Sequence, residues 1–521
     1  MSSVADYVVV GAGSSGAVLA NRLSADPRNT VVLLEAGPED KNKFAHIPAA
    51  FSKLFRSEVD WNYDSEPQPE LKGRSIFWPR GKMLGGSSSM NAMMWVRGFA
   101  ADYDEWASVS DPSWSFDKLI PYFRKIESIE GTTAADAGTS GPLIVSNQRS
   151  PRALTGSFLD AVRQAGYPVE PANLPEPKGF SQTMVNQKRG ARWSTADAYL
   201  KPIRKRANLT VITEAQASKV VFEGSAAVGV EYVSKGRTQT VRATREVVLA
   251  GGAVNTPQLL MLSGIGDAEQ LRQHGITVQH HAPEVGKNLT DHLAALIGWS
   301  VDNDSLFFAE KIPELVNYLA RRRGMLTSNV AEAYGFVKSR PELQLPDLEV
   351  IYAPAPFFDE GLIAPDAHAA VIGTVLLRPE SRGDITLRSS DPLAKPVIDP
   401  RYLSDSNGVD RDAMLEGLRV CTDIAAQPAL ADLLGSVVRP PNAGDLLSEA
   451  LEQNAHTLYH PVSTCRMGND PSSVVTPDLK VRGVDNLRVA DASIMPTIIR
   501  GHTHAPSVVI GEKAADLLLA R

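Results

Sequence analysis

Within its first 35 residues the chain sets out a pattern that few folds can accommodate. A β-branched run, DYVVV (Asp6–Val10), leads into the turn Gly11-Ala-Gly13-Ser-Ser-Gly16. The stretch AVLANRLSAD follows with helical apolar spacing, and a second β-rich run, Thr30–Leu34, ends in Glu35. A short apolar run without polar alternation is what a strand buried on both faces requires, so the pattern predicts a parallel sheet with a crossover helix. The first glycine permits the tight turn, the second lets backbone approach a pyrophosphate, and the third lets the helix pack on the strand. The helix N-terminus then directs free N–H groups and a partial positive charge at the phosphates. Glu35 falls 24 residues after Gly11, where a carboxylate accepts hydrogen bonds from ribose hydroxyls and disfavours a 2′-phosphate. The pattern points to FAD or NAD rather than NADP and does not by itself choose between the first two.

Composition narrows the class. At 521 residues the chain exceeds one ordinary domain, and 43% hydrophobic with 22% charged residues are the proportions of a soluble globular enzyme. A net charge of −7 without a long Lys/Arg-rich run argues against a nucleic-acid partner. Cys421 and Cys465 cannot make a disulfide framework, and no CxxC pair or helical His-x-x-x-His offers a metal site. The opening residues lack a basic, cleavable leader, and no apolar run approaches the roughly 18 residues that span a bilayer, so a cytoplasmic protein with no membrane span is expected.

Two further stretches bear on the ligand. Residues 81–98 read GKMLGGSSSMNAMMWVRG, where paired glycines and three serines supply donors for a pyrophosphate or a flavin edge, and the apolar bulk of MNAMMW wants burial. Residues 252–266, GAVNTPQLLMLSGIG, follow the strand-like run Glu246–Ala250, and Thr256-Pro257 is the expected opening of a helix.

With these two stretches the chain resembles the glucose–methanol–choline (GMC) family of FAD-dependent oxidoreductases, among them choline dehydrogenase, hydroxymethylfurfural oxidase and aryl-alcohol oxidase. ARWSTADAYL (Ala191–Leu200), VGKNLTDHL (Val285–Leu293), RPESRGDITLRSSDP (378–392), PVIDPRYL (Pro396–Leu403) and NLRVADASIMPT (486–497) look like family segments in family order. The resemblance implies the family's mixed α/β (α+β overall) fold: a Rossmann-like FAD-binding domain joined to a substrate domain built on an antiparallel sheet. Because cofactor motifs sit at the start, middle and end of the chain, the FAD domain is expected to be discontinuous, from 1–155, 205–295 and 455–521. The substrate domain takes 156–204 and 296–454, with Asp347–Tyr352 and Gly383–Arg388 as strand candidates of its sheet.

The resemblance also implies bound FAD. Gly11, Gly13, Ser14, Ser15, Gly16, Glu35 and Ala36 would hold its ADP half. Met83, Gly86, Ser87, Asn91, Ala92, Met93 and Met94 would lie along pyrophosphate and isoalloxazine. Asp491, Ala492, His504, Ala505 and Pro506 would return to it from the C-terminal side, and Ala217 would meet adenine through its backbone. Some relatives attach FAD through a histidine in the second loop; here that loop reads SSSMN, and noncovalent FAD is expected.

Four of the ten histidines, His456, His460, His502 and His504, fall in the last 70 residues. The family's catalytic stretch matches HPVSTCRMG, which makes His460 the expected general base. Its second catalytic position, before the final helix, matches His504 in GHTHAPSVV, with the two roles exchangeable; His456 and His502 are expected to be structural or to stand behind these. A neutral imidazole accepts the hydroxyl proton of an alcohol near neutral pH, a second donor steadies the developing alkoxide, and hydride passes to flavin N5. Trp95, Phe357, Phe358 and Tyr459 are candidate pocket walls, apolar enough to favour an uncharged primary alcohol, aromatic, furanic or aliphatic. Reoxidation by O2 or by a quinone or carrier remains open, as does a choline-type dehydrogenase, which would want a carboxylate and an aromatic cage. Within the same fold, a flavin-containing hydroxynitrile lyase or a fatty-acid photodecarboxylase is the alternative of another class. Cys465, in the same stretch as His460, is read as buried packing.

Overall fold

The computed structural model describes residues 3–132, 134, 136–441 and 443–520. Two seven-stranded sheets organise it. In the first, the strands run in the order Leu209–Ile212, Val31–Leu34, Ser3–Val10, Arg237–Leu249, Ala226–Ser234, Gln216–Glu223, and Leu487–Val489 joins the far end of Arg237–Leu249. The first four strands and Leu487–Val489 pair in parallel, while the two meander strands, Ala226–Ser234 and Gln216–Glu223, are antiparallel. The parallel pairing explains why Val8, Val9 and Leu33 are wholly buried: helices cover the sheet, and such strands read as uninterrupted apolar runs.

The helix Ser14–Leu23 follows the first strand, and Gly16 is obligatory at its start, since a Cβ there would stand 1.8 Å from the Gly11 carbonyl oxygen. On its outer side lies the last helix, His504–Leu519. The Ser15 hydroxyl donates to the Ser507 carbonyl at 2.7 Å, and the Arg22 guanidinium grips the buried Glu512 carboxylate through Nε and Nη2. The two ends of the chain thus form one layer over the sheet.

The second sheet is antiparallel throughout, in the order Leu434–Arg439, Leu293–Val301, Ala369–Leu376, Leu348–Ala353, Ala333–Val337, Phe180–Gln182, with His456–Thr457 pairing on Leu293–Ala294. One back-covering element is the helix Val409–Ala425, which packs Met414, Leu418 and Cys421 into its core.

Two local expectations are corrected. The segment 383–388 does not join the antiparallel sheet; Asp384–Thr386 pairs only with Val397–Asp399, as a separate hairpin. The helix expected to open at Thr256 begins at Gly252, with Pro257 inside it. Proline there cannot donate to the carbonyl four residues back, and that Ala253 oxygen instead accepts from the Thr464 hydroxyl at 2.7 Å. A cross-chain hydrogen bond therefore replaces the one the proline removes. Among the described residues no helix is long and apolar enough to cross a membrane.

Candidate active site

A long cavity runs between the two sheets. At one end it is bounded by Val10, Leu34 and Leu249, the carboxyl ends of three parallel strands, where ligands of open α/β sheets bind. At the other end Ala294, Leu296, Ile351, Ala353, Val371 and Val375 present one face of the antiparallel sheet.

The first end is made largely of backbone. The helix Ser14–Leu23 starts at Gly13 with no side-chain cap, so its first N–H groups face the cavity, together with Ser14 and Ser15. The loop 86–94 closes over Gly13: a Cβ on Gly86, at φ +53°, would stand 2.7 Å from the Gly13 Cα. Glu35 lines the same end, accepting from the Ala12 and Gly37 N–H groups at 2.9 Å each. Burial outweighs those two bonds and pushes its carboxyl up to about 7. Unfilled donors of an uncapped helix, a glycine-lined passage and a buried carboxylate suit a diphosphate joined to a ribose.

Of the residues expected to hold the cofactor, Gly11, Gly13, Ser14, Ser15, Glu35, Ala36, Gly86, Ser87, Asn91, Ala92, Met93, Met94, Ala217, Asp491, Ala492 and His504 line this cavity. Gly16, Met83, Ala505 and Pro506 do not reach it. Gly16 lies beneath the turn, Met83 is buried in the cluster with Phe51 and Phe55, and the other two are buried in the first turn of the last helix. Asp491 ties loops together, its carboxylate accepting from Gly252 N–H, the Thr256 hydroxyl and Ser493 N–H.

The second end is made of side chains. His460 follows Tyr459, whose φ of +69° places a non-glycine residue in the left-handed region, as does Ser463 at +72°. Such conformations persist only where surrounding bonds impose them. Here the fully buried neighbourhood of Asp291 does so. Its carboxylate accepts from the His460 backbone N–H at 2.8 Å, the Thr457 hydroxyl at 2.5 Å and the Tyr402 hydroxyl.

Two rings pack on His460: His292, with centroids 5.1 Å apart, and His502, at 4.8 Å. His292 Nε2 lies 3.2 Å from the Leu377 carbonyl oxygen, and its Nδ1 lies 2.9 Å from His460 Nδ1. A carbonyl only accepts, so the proton of neutral His292 is on Nε2 and its Nδ1 is a bare acceptor. His460 must then donate from Nδ1, which leaves the lone pair of a neutral His460 on Nε2. Burial, reinforced by His502 and His292, holds the His460 ring well below the usual histidine range, and burial takes His292 down to about 3. His502 is fixed on its other side by Glu349: its Nε2–H donates to Oε1 at 3.0 Å, from a carboxylate that is wholly buried.

The expected pairing of His460 with His504 is not the one the structure makes. His504 sits two residues on, at the start of the last helix, where its Nδ1 is 3.0 Å from the Ser14 hydroxyl and its ring stands edge-on to Trp95. It belongs to the phosphate end, and burial depresses its ring to about 4. His502 takes the place beside His460. His456, expected to stand back, also lines the cavity; its Nδ1–H donates to Thr457 O at 2.8 Å, and its Nε2 has no hydrogen-bond partner among the described residues.

The pocket walls also divide. Phe357 and Tyr459 line the cavity, joined by Phe51, Phe55 and Val330. Trp95 does not: it is fully buried, its indole N–H donates to Glu127 at 2.8 Å, and it backs His504. Phe358 turns away from the cavity, its ring under the Arg439 guanidinium at 5.3 Å. Cys465 is wholly buried and its thiol is pushed well up, which makes it packing rather than a nucleophile. Away from the cavity, Asp40, His46 and Asp197 converge, but the Lys201 ammonium occupies the point between the two carboxylates, at 2.8 and 2.6 Å.

Sequence reasoning missed His292, His502 and Glu349. His292 ends the Asp-His pair of VGKNLTDHL, and His502 is the first histidine of GHTHAP; both were in view as motif residues, but only the fold brings them to His460.

A parallel-sheet phosphate cradle continuous with a histidine-walled apolar pocket defines a dinucleotide-dependent redox protein. Family models described as GMC oxidoreductase match residues 5–294 and 379–511, and the chain belongs to the GMC oxidoreductase family. It is 62% identical to an uncharacterized GMC-type oxidoreductase of Mycobacterium bovis, over 99% of this chain and 100% of that one. It is 43% identical to an alcohol dehydrogenase [acceptor] of Pseudomonas putida, over 99% and 96%. The crystal structure of pyridoxine 4-oxidase from Mesorbium loti superposes with a TM-score of 0.89 at 31% identity, covering 98% of each chain. GMC oxidoreductases bind FAD, and the glycine passage, uncapped helix and Glu35 are a chemical fit to its ADP half.

Proposed function

We propose that the protein oxidises an uncharged primary alcohol to the aldehyde, with FAD bound noncovalently along the cavity and His460 as the base. The observation that carries this reading is the His460 Nδ1···His292 Nδ1 contact: with the other nitrogen of His292 on the Leu377 carbonyl, it commits the His460 proton to Nδ1 and leaves Nε2 to take a hydroxyl proton. Burial favours the neutral ring, so that nitrogen stays free as pH falls through the usual histidine range. His502, anchored through Nε2 to Glu349, lines the cavity beside it and packs on its ring, which holds His460 in place. Phe51, Phe55, Val330 and Phe357 exclude water from the alcohol carbon. FAD, when bound, supplies the two-electron acceptor for the hydrogen leaving that carbon.

An uncharged substrate is favoured over choline because the buried carboxylates beside the histidines, Asp291 and Glu349, are engaged by Thr457, Tyr402 and His502 and neither lines the cavity. A quaternary ammonium would face phenylalanines without a counter-charge. The relative from Pseudomonas putida is named for an alcohol and the structural neighbour for an oxidase, which is consistent with a CH–OH donor and leaves the acceptor to experiment.

The noncovalent attachment rests on the Ser87–Asn91 loop, which lines the cavity without a histidine. Flavin that stays in the pellet after acid precipitation would refute it. The FAD-binding part is assigned to 1–155, 205–295 and 455–521 and the substrate-binding part to 156–204 and 296–454, with the strands Leu293–Val301 and His456–Thr457 lying across or beyond that boundary.

A panel of primary alcohols added anaerobically tests the function. Bleaching of the oxidised flavin spectrum is expected with apolar or aromatic alcohols and not with choline. Turnover without bleaching would favour a lyase. The same panel, assayed for peroxide in air and for dye reduction without oxygen, assigns the acceptor.

A further inference from the structure

The helix Ile312–Arg321 is put together the wrong way round for a helix of a water-soluble surface. Ile312, Leu315, Val316 and Leu319, at the i, i+3, i+4, i+7 spacing of a core-facing stripe, are instead 76, 40, 57 and 63% exposed. Only Tyr318 of this helix is buried. Apolar stripes of this kind are normally covered, and an uncovered one marks an interaction surface.

Its charges say what covers it. The chain is acidic overall, yet Lys311 at the start of the helix and Arg321, Arg322 and Arg323 at its end are all exposed. The neighbouring acids are engaged: Glu310 pairs with Lys53 at 2.7 Å, and Glu314 accepts from the Met325 backbone N–H at 2.8 Å. A second copy of the chain fits poorly, because a two-fold contact along the stripe brings these cations against Lys311 or against one another, with no free carboxylate on the helix to meet them. A surface rich in negative charge and receptive to aliphatic side chains fits both features.

We propose that the helix Ile312–Arg321 lies on an anionic lipid bilayer, with the Ile312–Leu319 stripe among the upper acyl carbons and Lys311 and Arg321–Arg323 on lipid phosphates. This is an interfacial attachment, with no segment crossing the membrane. The long arginine side chains reach headgroup level while their stems cover apolar surface. The helix is anchored to the body at the substrate end of the cavity: Tyr318 packs in one cluster with Phe51, Phe55 and Val330, all three of which line it. Leu362 and Ile363, 43 and 54% exposed, lie in the loop next to Gly361, which packs on Ser52 and Phe357.

The test is flotation of the purified, FAD-loaded protein with large unilamellar vesicles. With equal parts phosphatidylcholine and phosphatidylglycerol the protein is expected to float. With phosphatidylcholine alone, or with the anionic vesicles in high salt, it is expected to stay below. Leu315→Glu/Leu319→Glu should lower the partition coefficient by at least about a hundredfold. Arg321→Glu/Arg323→Glu should lower it by about thirtyfold. All four substituted side chains are exposed, so both variants should keep the wild-type flavin spectrum and flavin reduction. A wild-type protein that floats with neither vesicle overturns the proposal, as does a Leu315→Glu/Leu319→Glu protein that floats unchanged. A wild-type dimer in sedimentation, dissolved by the same leucine substitutions while vesicles are ignored, would replace the membrane with a second copy of the chain.

Discussion

The two ends of the cavity solve different problems with different materials. The phosphate end uses mostly backbone N–H groups and glycines, from the turn at 11–16 and the loop 86–94 that closes over it, because a diphosphate is met by dipoles and close approach rather than by particular side chains. The histidine end uses His292, His460, His502 and Glu349, drawn from a loop before one strand, a strained loop, a loop before the last helix and a strand interior. What matters there is which nitrogen holds a proton, and that is decided by neighbours far away in the chain. Binding and chemistry should therefore be separable by mutation.

The largest separation is expected at His460. His460→Ala should slow flavin reduction by alcohol by roughly 10³- to 10⁴-fold while leaving flavin content unchanged, measured by anaerobic stopped-flow beside the 450 nm absorbance. Loss of flavin with the rate would break the comparison, since the two ends would then not be independent. His502→Ala should cost less, on the order of 10²-fold, since it removes the Glu349-anchored ring that packs on His460 and leaves the base. His504→Ala should instead act mainly on flavin retention.

At His292 the effect should be about 10- to 100-fold and carries a signature of its own. In His292→Phe the acceptor for His460 Nδ1–H is gone, so the ring is free to take either tautomer. His292→Asn, whose side-chain oxygen can accept that hydrogen, should recover much of the rate. Equal losses in the two variants would assign His292 to packing alone. At the other end, Glu35→Ala should lower the flavin-to-protein ratio about tenfold after gel filtration, with molecules that keep FAD reduced at the wild-type rate.

The smallest effect is in the pH profile. A depressed histidine is a competent base above its own pKa and loses that role only as pH falls through it. The acid limb of kcat/KM should therefore lie below 6.5, the value of a free imidazole. An acid limb at 6.5 would mean that His460 is not shielded as its burial indicates.

Legibility in the sequence follows the same division. Gly11 to Glu35 could be read directly, because the strand, turn, helix and acid are neighbours along the chain and each has a local physical cause. His460 was legible through its motif. Its partner was misplaced by two residues: His502 and His504 flank Thr503, and nothing local says that the first meets His460 while the second, already on the helix, turns to Ser14. Trp95 reads as a pocket wall by composition, but its indole N–H has a buried carboxylate to satisfy at Glu127, and that contact takes it into the core. The segment 383–388 alternates well enough to be a strand, yet which sheet it joins is a matter of distant pairing.

The clasp between the helices Ser14–Leu23 and His504–Leu519 has a consequence for biogenesis. Arg22 and Glu512 are separated by 490 residues, and the strand Leu487–Val489 is laid against Arg237–Leu249 only when the end of the chain is available. At typical translation rates the nascent phosphate cradle waits about 25 to 100 s for its outer layer. During that interval Ser15 and the carboxyl edge of the sheet lack their cover. Flavin capture should accordingly be a late event, following release from the ribosome, and a chain truncated before residue 487 should be a client of chaperones rather than a smaller flavoprotein.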